Sequence, residues 1–131
     1  MTDATPETTA ATGIDFVMYL VKDMPRAQAF YESVFALRRG EFDSENFVEY
    51  DLPDGNTFAL AVAPEGADVR CGGLMFAVAD VEAAVARVKD AGGTFFANFG
   101  GEVCTSGWCA DPDGNPFGVH RRFERRAGTS I

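Results

Sequence analysis

The sequence predicts an α+β fold made of two copies of a strand–helix–strand–strand–strand module, written βαβββ. The first observation is a Pro-Asp-Gly turn that occurs twice, ending at Gly55 and at Gly114. Alternating large apolar residues follow each turn, which is typical of a strand. The second observation is an aspartate placed to cap a helix in each half, Asp23 and Asp80. The aspartates are 57 residues apart and the glycines 59, which indicates a duplicated unit whose two copies pack together around a concave sheet surface.

The first module spans residues 13–66. Asp23 caps its helix, and Gly40 is predicted to end it. The helix carries an apolar stripe that we interpret as core: Ala27, Phe30, Tyr31, Val34 and Leu37. Strands are predicted at Ile14–Val21, Phe47–Leu52 and Asn56–Ala63, with Glu41–Ser44 ambiguous between strand and loop. Because the first strand is apolar on both faces, we expect both faces to be covered.

The second module spans residues 71–123. Asp80 caps its helix, Gly92-Gly93 stops it, and an apolar face consists of Val81, Ala84, Val85 and Val88. Strands are predicted at Gly73–Ala79, Thr94–Phe99 and Val103–Ala110, and from the second turn through Arg122. Residues 1–12 are predicted to be a disordered segment that is not a signal peptide, and residues 124–131 a tail.

The composition excludes several function classes. The chain has 131 residues, enough for one domain, and a net charge of -9 that disfavours nucleic acid as a partner. No apolar run is long enough to span a membrane. The chain has three cysteines and one histidine, without zinc-type spacing, and we therefore expect reduced thiols in a cytoplasm. The arginines near the C-terminus favour a solvated tail over an anion site: Arg121, Arg122, Arg125 and Arg126.

Three segments carry a family resemblance: VKDMPRAQAFYESVF (residues 21–35), VADVEAAVARVKDAGG (78–93) and DPDGNPFGV (111–119). In this order they resemble the vicinal oxygen chelate superfamily, which contains glyoxalase I, bleomycin resistance proteins and extradiol dioxygenases. The resemblance covers residues 13–123. It implies two βαβββ modules whose curled mixed sheets pair around a cavity, with helices on the outer face. It also implies a homodimer.

The resemblance implies where a metal would be held. Metal-using members take a histidine seven residues before the capping aspartate, and a glutamate or similar residue on the strand after the turn. These positions correspond here to Phe16 and Gly73, and to Ala59 and Gly118. None of these side chains can donate a lone pair to a cation, so we predict no metal and no cofactor.

The same positions form an apolar floor, which Met18 and Met75 extend along the first strand of each module. His120 shares a strand face with Gly118 and is either a general base or ligand contact, or an edge imidazole. Tyr50 and Trp108 either stack on a planar ligand or pack in a core or dimer interface. The predicted ligand-binding residues are Phe16, Met18, Tyr50, Ala59, Gly73, Met75, Trp108, Gly118 and His120.

We therefore predict a protein of the bleomycin-resistance type that binds an apolar or aromatic small molecule without a metal, and we lean against an enzyme. Such a protein would sequester a drug or a metabolite. One alternative is a lyase- or isomerase-like enzyme that uses His120 for acid–base chemistry or holds a metal with unexpected ligands. Another is a structural or interaction module with a closed cavity, which a large side chain such as Phe16 would fill.

Overall fold

The computed structural model describes residues 14–66, 70–102 and 104–123. Within them lie eight strands: β1 (Val17–Val21), β2 (Arg39–Asp43), β3 (Phe47–Asp51), β4 (Thr57–Val62), β5 (Leu74–Ala77), β6 (Thr94–Gly100), β7 (Cys104–Ala110) and β8 (Pro116–Arg122). Two helices accompany them, α1 (Met24–Phe35) and α2 (Val81–Asp90). The segments predicted as disordered lead-in (1–12) and tail (124–131) lie outside the described residues.

Each module forms one four-stranded mixed sheet. The N-sheet has the strand order β1-β4-β3-β2, and the C-sheet has the order β5-β8-β7-β6. In both sheets the first strand runs parallel to the last strand of its module, while the other neighbours are antiparallel. The predicted α+β fold of two βαβββ modules is therefore confirmed.

Both helices begin where their capping residues predict. The Asp23 carboxylate accepts a hydrogen bond from the backbone N–H of Arg26 at 3.0 Å. The Asp80 carboxylate accepts one from the N–H of Ala83, also at 3.0 Å. Each bond satisfies an amide that the helix itself leaves without a partner.

The predicted end of the first helix at Gly40 is wrong. The helix ends at Phe35, and Ala36 adopts the left-handed conformation (φ 53°) that closes it. Glycine usually adopts this conformation at the end of a helix, so an alanine at this position does not indicate in the sequence that the helix ends there. Gly40 lies instead in β2, and the ambiguous segment around it is a strand.

The core lies between the helices and one face of both sheets, and α1 joins the two modules. The Tyr31 ring lies 5.0 Å from that of Phe58 in the N-sheet. Phe35 stacks on Phe76 of the C-sheet at a centroid distance of 4.1 Å, and it meets Phe117 edge-on at 5.7 Å. Aromatic side chains from both modules thus share one core, which neither module could complete alone.

The expectation that both faces of the first strand are covered is wrong for the single chain. Tyr19 and Val21 are buried beneath the helices. On the opposite face Phe16 is 46% exposed and Met18 42%. The reason is that both helices pack on the same side of the sheets.

The second Pro-Asp-Gly turn lies at the junction between the modules, and the residues that flank it, Asp111 and Asn115, are buried. The Asn115 side-chain amide donates to the Leu20 carbonyl at 2.8 Å and to Asp111 Oδ2 at 3.0 Å, while its oxygen accepts from the Cys71 N–H at 2.9 Å. The Tyr31 hydroxyl donates to the same Asp111 oxygen at 2.9 Å. These bonds connect β1, α1 and the segment that leads into β5.

Candidate ligand-binding site on the open sheet faces

We call the face of each sheet that points away from the helices its open face. Directly paired residues of neighbouring strands share a face, so their side chains form rows across it. The central row of the N-sheet is Met18–Ala59–Glu49, and that of the C-sheet is Met75–Gly118–Trp108. The two rows are equivalent in the duplicated fold, and five of the nine predicted site residues lie in them: Met18, Ala59, Met75, Trp108 and Gly118.

In the N-sheet, aromatic rings cover the central row. Phe16 lies next to β1 and Phe47 lies on β3, and their rings meet edge-on with centroids 6.4 Å apart. Because β4 runs between β1 and β3, the rings meet over the strand that carries Ala59. Ala59 is fully buried, although it lies on the open face. It is therefore not available to a ligand in this conformation.

In the C-sheet, a methionine covers the central row. Gly118 has no side chain, and the Sδ and Cε atoms of Met75 occupy the space where a Cβ would stand. Trp108 pairs with Gly118 on the other side and is partly exposed. Gly73 immediately precedes β5 and adopts φ 89°, a conformation that favours glycine, so its role there is conformational.

The four positions that the family resemblance assigns to metal ligands do not fit a divalent metal. Phe16, Ala59, Gly73 and Gly118 supply no nitrogen or carboxylate oxygen from their side chains. At Gly118, moreover, the Met75 thioether fills the space through which a ligand side chain would project. Among the described residues, no group of three or more His, Cys, Asp or Glu side chains could hold a metal ion.

Tyr50 is a core residue, and its assignment to the ligand site is wrong. It is fully buried on the helix side of β3, and its hydroxyl donates to Glu32 Oε2 at 2.9 Å. The residue equivalent to Trp108 is Glu49, because Glu49 pairs with Ala59 and Trp108 pairs with Gly118, and Ala59 and Gly118 are themselves equivalent. An offset of one residue places Tyr50 and Trp108 on opposite faces of their sheets.

His120 lies on the open face of the C-sheet, one row from Gly118, between Ala77 and Ser106. It is partly exposed. Among the described residues, no side-chain hydrogen bond to the imidazole is present, and the Ser106 hydroxyl donates instead to the Phe99 carbonyl. No carboxylate in this part of the chain therefore orients His120 as a general base.

The two open faces carry opposite charge. Glu49 and Asp51 lie on the open face of the N-sheet, paired with Ala59 and Thr57. Arg122 lies on that of the C-sheet, two positions after His120 on β8. A partner that meets both faces at once would therefore find one acidic and one basic surface.

A cleft of about 530 Å³ lies on the other side of the C-sheet. It is lined by the start of α2 and by residues of β6, β7 and β8, among them Asp80, Asn98, Thr105 and Arg121. None of the predicted site residues lines it. Phe16 and Met18 are exposed on the open face of the N-sheet, and the cavity that the family resemblance implies between the sheets stays a prediction.

Two βαβββ modules that share one core and leave the central rows of both sheets uncovered by helices define a paired-module α+β protein. The chain belongs to the Glyoxalase/Bleomycin resistance protein/Dioxygenase superfamily, whose family model matches residues 13–119. A comparison with curated proteins finds no match.

Solved structures share this fold at low sequence identity. A glyoxalase/dioxygenase from Nostoc punctiforme has a TM-score of 0.72 at 15% identity, covering 95% of this chain and 100% of its own. TnmS3, an antibiotic binding protein from Streptomyces sp. CB03234, has a TM-score of 0.70 at 18% identity, covering 87% and 98%. Lactoylglutathione lyase from Agrobacterium tumefaciens has a TM-score of 0.67 at 19% identity, covering 85% and 94%. The likenesses show the fold, which hosts different functions.

All three cysteines are free thiols. Among the described residues, no helix is long and apolar enough to cross a membrane. The cytoplasmic location remains a prediction.

Proposed function

We propose that this protein binds an apolar or aromatic small molecule at its open sheet faces without a metal. The row Met75–Gly118–Trp108 carries the proposal. It places a thioether and an indole around a glycine at the position that metal-using members of the superfamily give to a carboxylate. Such a surface suits an apolar ring. An antibiotic binding protein among the proteins of the same fold supports the binding of a small molecule.

Calorimetric titration with two planar probes tests this function. Acridine is an uncharged ring system near neutral pH, and proflavine is a cationic derivative of it. We expect both to bind equally well with and without EDTA, to a protein free of stoichiometric zinc, nickel, iron and manganese. The net charge of -9 should favour proflavine at low salt, and added salt should reduce the difference. Binding that EDTA abolishes would contradict the proposal.

We infer that a second copy of the chain covers the open faces, with the N-sheet of one copy over the C-sheet of the other. Phe16 and Met18 expose apolar surface there. Glu49 of each copy would then face the basic side of the other copy's C-sheet. Because a twofold axis would relate the copies, this contact would occur twice in the dimer. This homodimer would complete the ligand cavity.

Sedimentation velocity tests the dimer with a matched pair of variants. Met18→Glu adds a charge to the open face and should give monomers. Ala29→Glu adds the same charge to the exposed face of α1 and should leave the dimer intact. A monomeric wild-type protein would contradict the inference.

A second candidate is an interaction module whose open faces serve only association. The burial of Ala59 and the Phe16–Phe47 contact favour it, because they close the N-sheet row. A dimer that binds neither probe would favour this candidate. For the enzymatic alternative, turnover that survives His120→Ala would remove His120 as its acid–base group.

A further inference from the structure

We infer that the ligand seat lies in the C-sheet at Gly118, and that Met75 occupies this seat in the free protein and moves aside when a flat ring binds. The inference rests on the proposed function. It deepens that function by assigning the seat to one module, by naming the side chain that moves, and by limiting the ligand to planar aromatic molecules.

The two central rows are covered in different ways. In the N-sheet, Ala59 fills its own position with a methyl group, and the Phe16 and Phe47 rings meet above the strand. Opening that row would separate two aromatic rings that contact each other. In the C-sheet, the cover over Gly118 is one methionine, which is unbranched and adapts its shape by rotation. Opening the C-sheet row therefore requires less free energy than opening the N-sheet row.

Rotation of Met75 away from Gly118 would uncover a flat backbone floor. The absence of a Cβ at Gly118 lets a ring approach the peptide closely. Trp108 is the paired residue on the far side of the floor, so its indole is placed to contact the ring. A planar aromatic molecule fits this arrangement, because a bulkier body would not reach the floor between the two side chains.

Titration of acridine into Met75→Ala tests the inference, with Ala29→Glu on the exposed face of α1 as the control. Alanine at position 75 leaves the seat open, so the ligand no longer displaces a side chain. We expect acridine to bind Met75→Ala about threefold or more tightly than wild type, because the contacts that a buried thioether makes have that order of strength. Ala29→Glu should bind as wild type does, because acridine is uncharged and α1 lies away from the open faces. The fluorescence of Trp108, the only tryptophan, should change on binding in all three proteins.

Gly118→Ala, made in the Met75→Ala background so that the new methyl group does not meet the Met75 thioether, provides a second variant to compare with Met75→Ala. Its methyl group would raise the floor and should weaken acridine binding about threefold or more, by loss of close packing against the ring. Near-ultraviolet circular dichroism checks that each variant is folded. Met75→Val, whose side chain ends at its γ carbons and so lacks the atoms that cover Gly118, replaces Met75→Ala if that variant unfolds.

The outcomes separate this inference from the proposed function. If wild type binds acridine and Met75→Ala binds it equally or more weakly, the seat is wrong while the proposed function stands. If only Met75→Ala binds, the seat stands and the proposed function of the native protein fails. If neither binds, both are overturned.

Discussion

Replacing Asn115 with alanine tests whether the second Pro-Asp-Gly turn connects the two modules. The substitution removes three side-chain hydrogen bonds of 2.8–3.0 Å, and it leaves the Leu20 carbonyl and the Cys71 N–H without these partners. An unsatisfied buried polar group costs roughly 1–3 kcal/mol. Water entering the vacated space would recover part of this, so we expect the free energy of unfolding to fall by about 3 kcal/mol.

Asn56 provides a matched control, because it follows the same Pro-Asp-Gly sequence. It is exposed, and its amide bonds only to the neighbouring Asp54 at 2.9 Å. Asn56→Ala should therefore change stability by less than about 0.5 kcal/mol. Urea unfolding followed by circular dichroism, with unchanged dependence on denaturant concentration, measures both values. Equal costs for the two substitutions would refute the role of the second turn as the connection between modules.

Three further predictions concern packing and titration. Gly93→Ala should lower the free energy of unfolding by about 1–3 kcal/mol, because the new Cβ would stand 2.7 Å from the Ala110 carbonyl oxygen. Gly101→Ala is the control, since the space around Gly101 is open, and urea unfolding should show no change in its stability. Burial raises the pKa of Tyr19 from its ordinary 10.0 to about 12. The folded state thus holds this proton more tightly, and its contribution to stability is complete below about pH 10 and is lost as the pH rises towards 12. Phenolate absorbance should therefore rise together with loss of circular dichroism; phenolate from Tyr19 at pH 10 in folded protein would contradict this. Burial also raises the pKa of the Cys109 thiol to about 11. Thiol reagents at about pH 8 should modify Cys109 last, as peptide mapping would show.

Much of the fold could be predicted because its signals are local. Asp23 and Asp80 cap their helices through amides three residues away, and the duplicated spacing reports the repeated module. The end of α1 could not be predicted, since Ala36 takes a conformation that the sequence rule assigns to glycine.

The sequence by itself determined the chemistry missing from the candidate site. Phe16, Ala59, Gly73 and Gly118 lack metal-binding atoms in any conformation, so this part of the reasoning depends only on the register of the repeat. The family resemblance supplied that register, and the paired strands show Ala59 and Gly118 at equivalent positions.

Only the tertiary structure decided which of these positions a ligand could reach. Both helices pack on one side, which buries Tyr50 and leaves Trp108 on the open face, although both are aromatic residues before a turn. Two turns of almost identical sequence also differ in this respect. Asn56, after the first turn, is exposed, whereas Asn115, after the second, is buried at the module junction. The physical reason is that burial, and the side chain that covers a given backbone, depend on contacts between residues far apart in the chain. The contact of Met75 with Gly118, 43 residues away in the sequence, is an example.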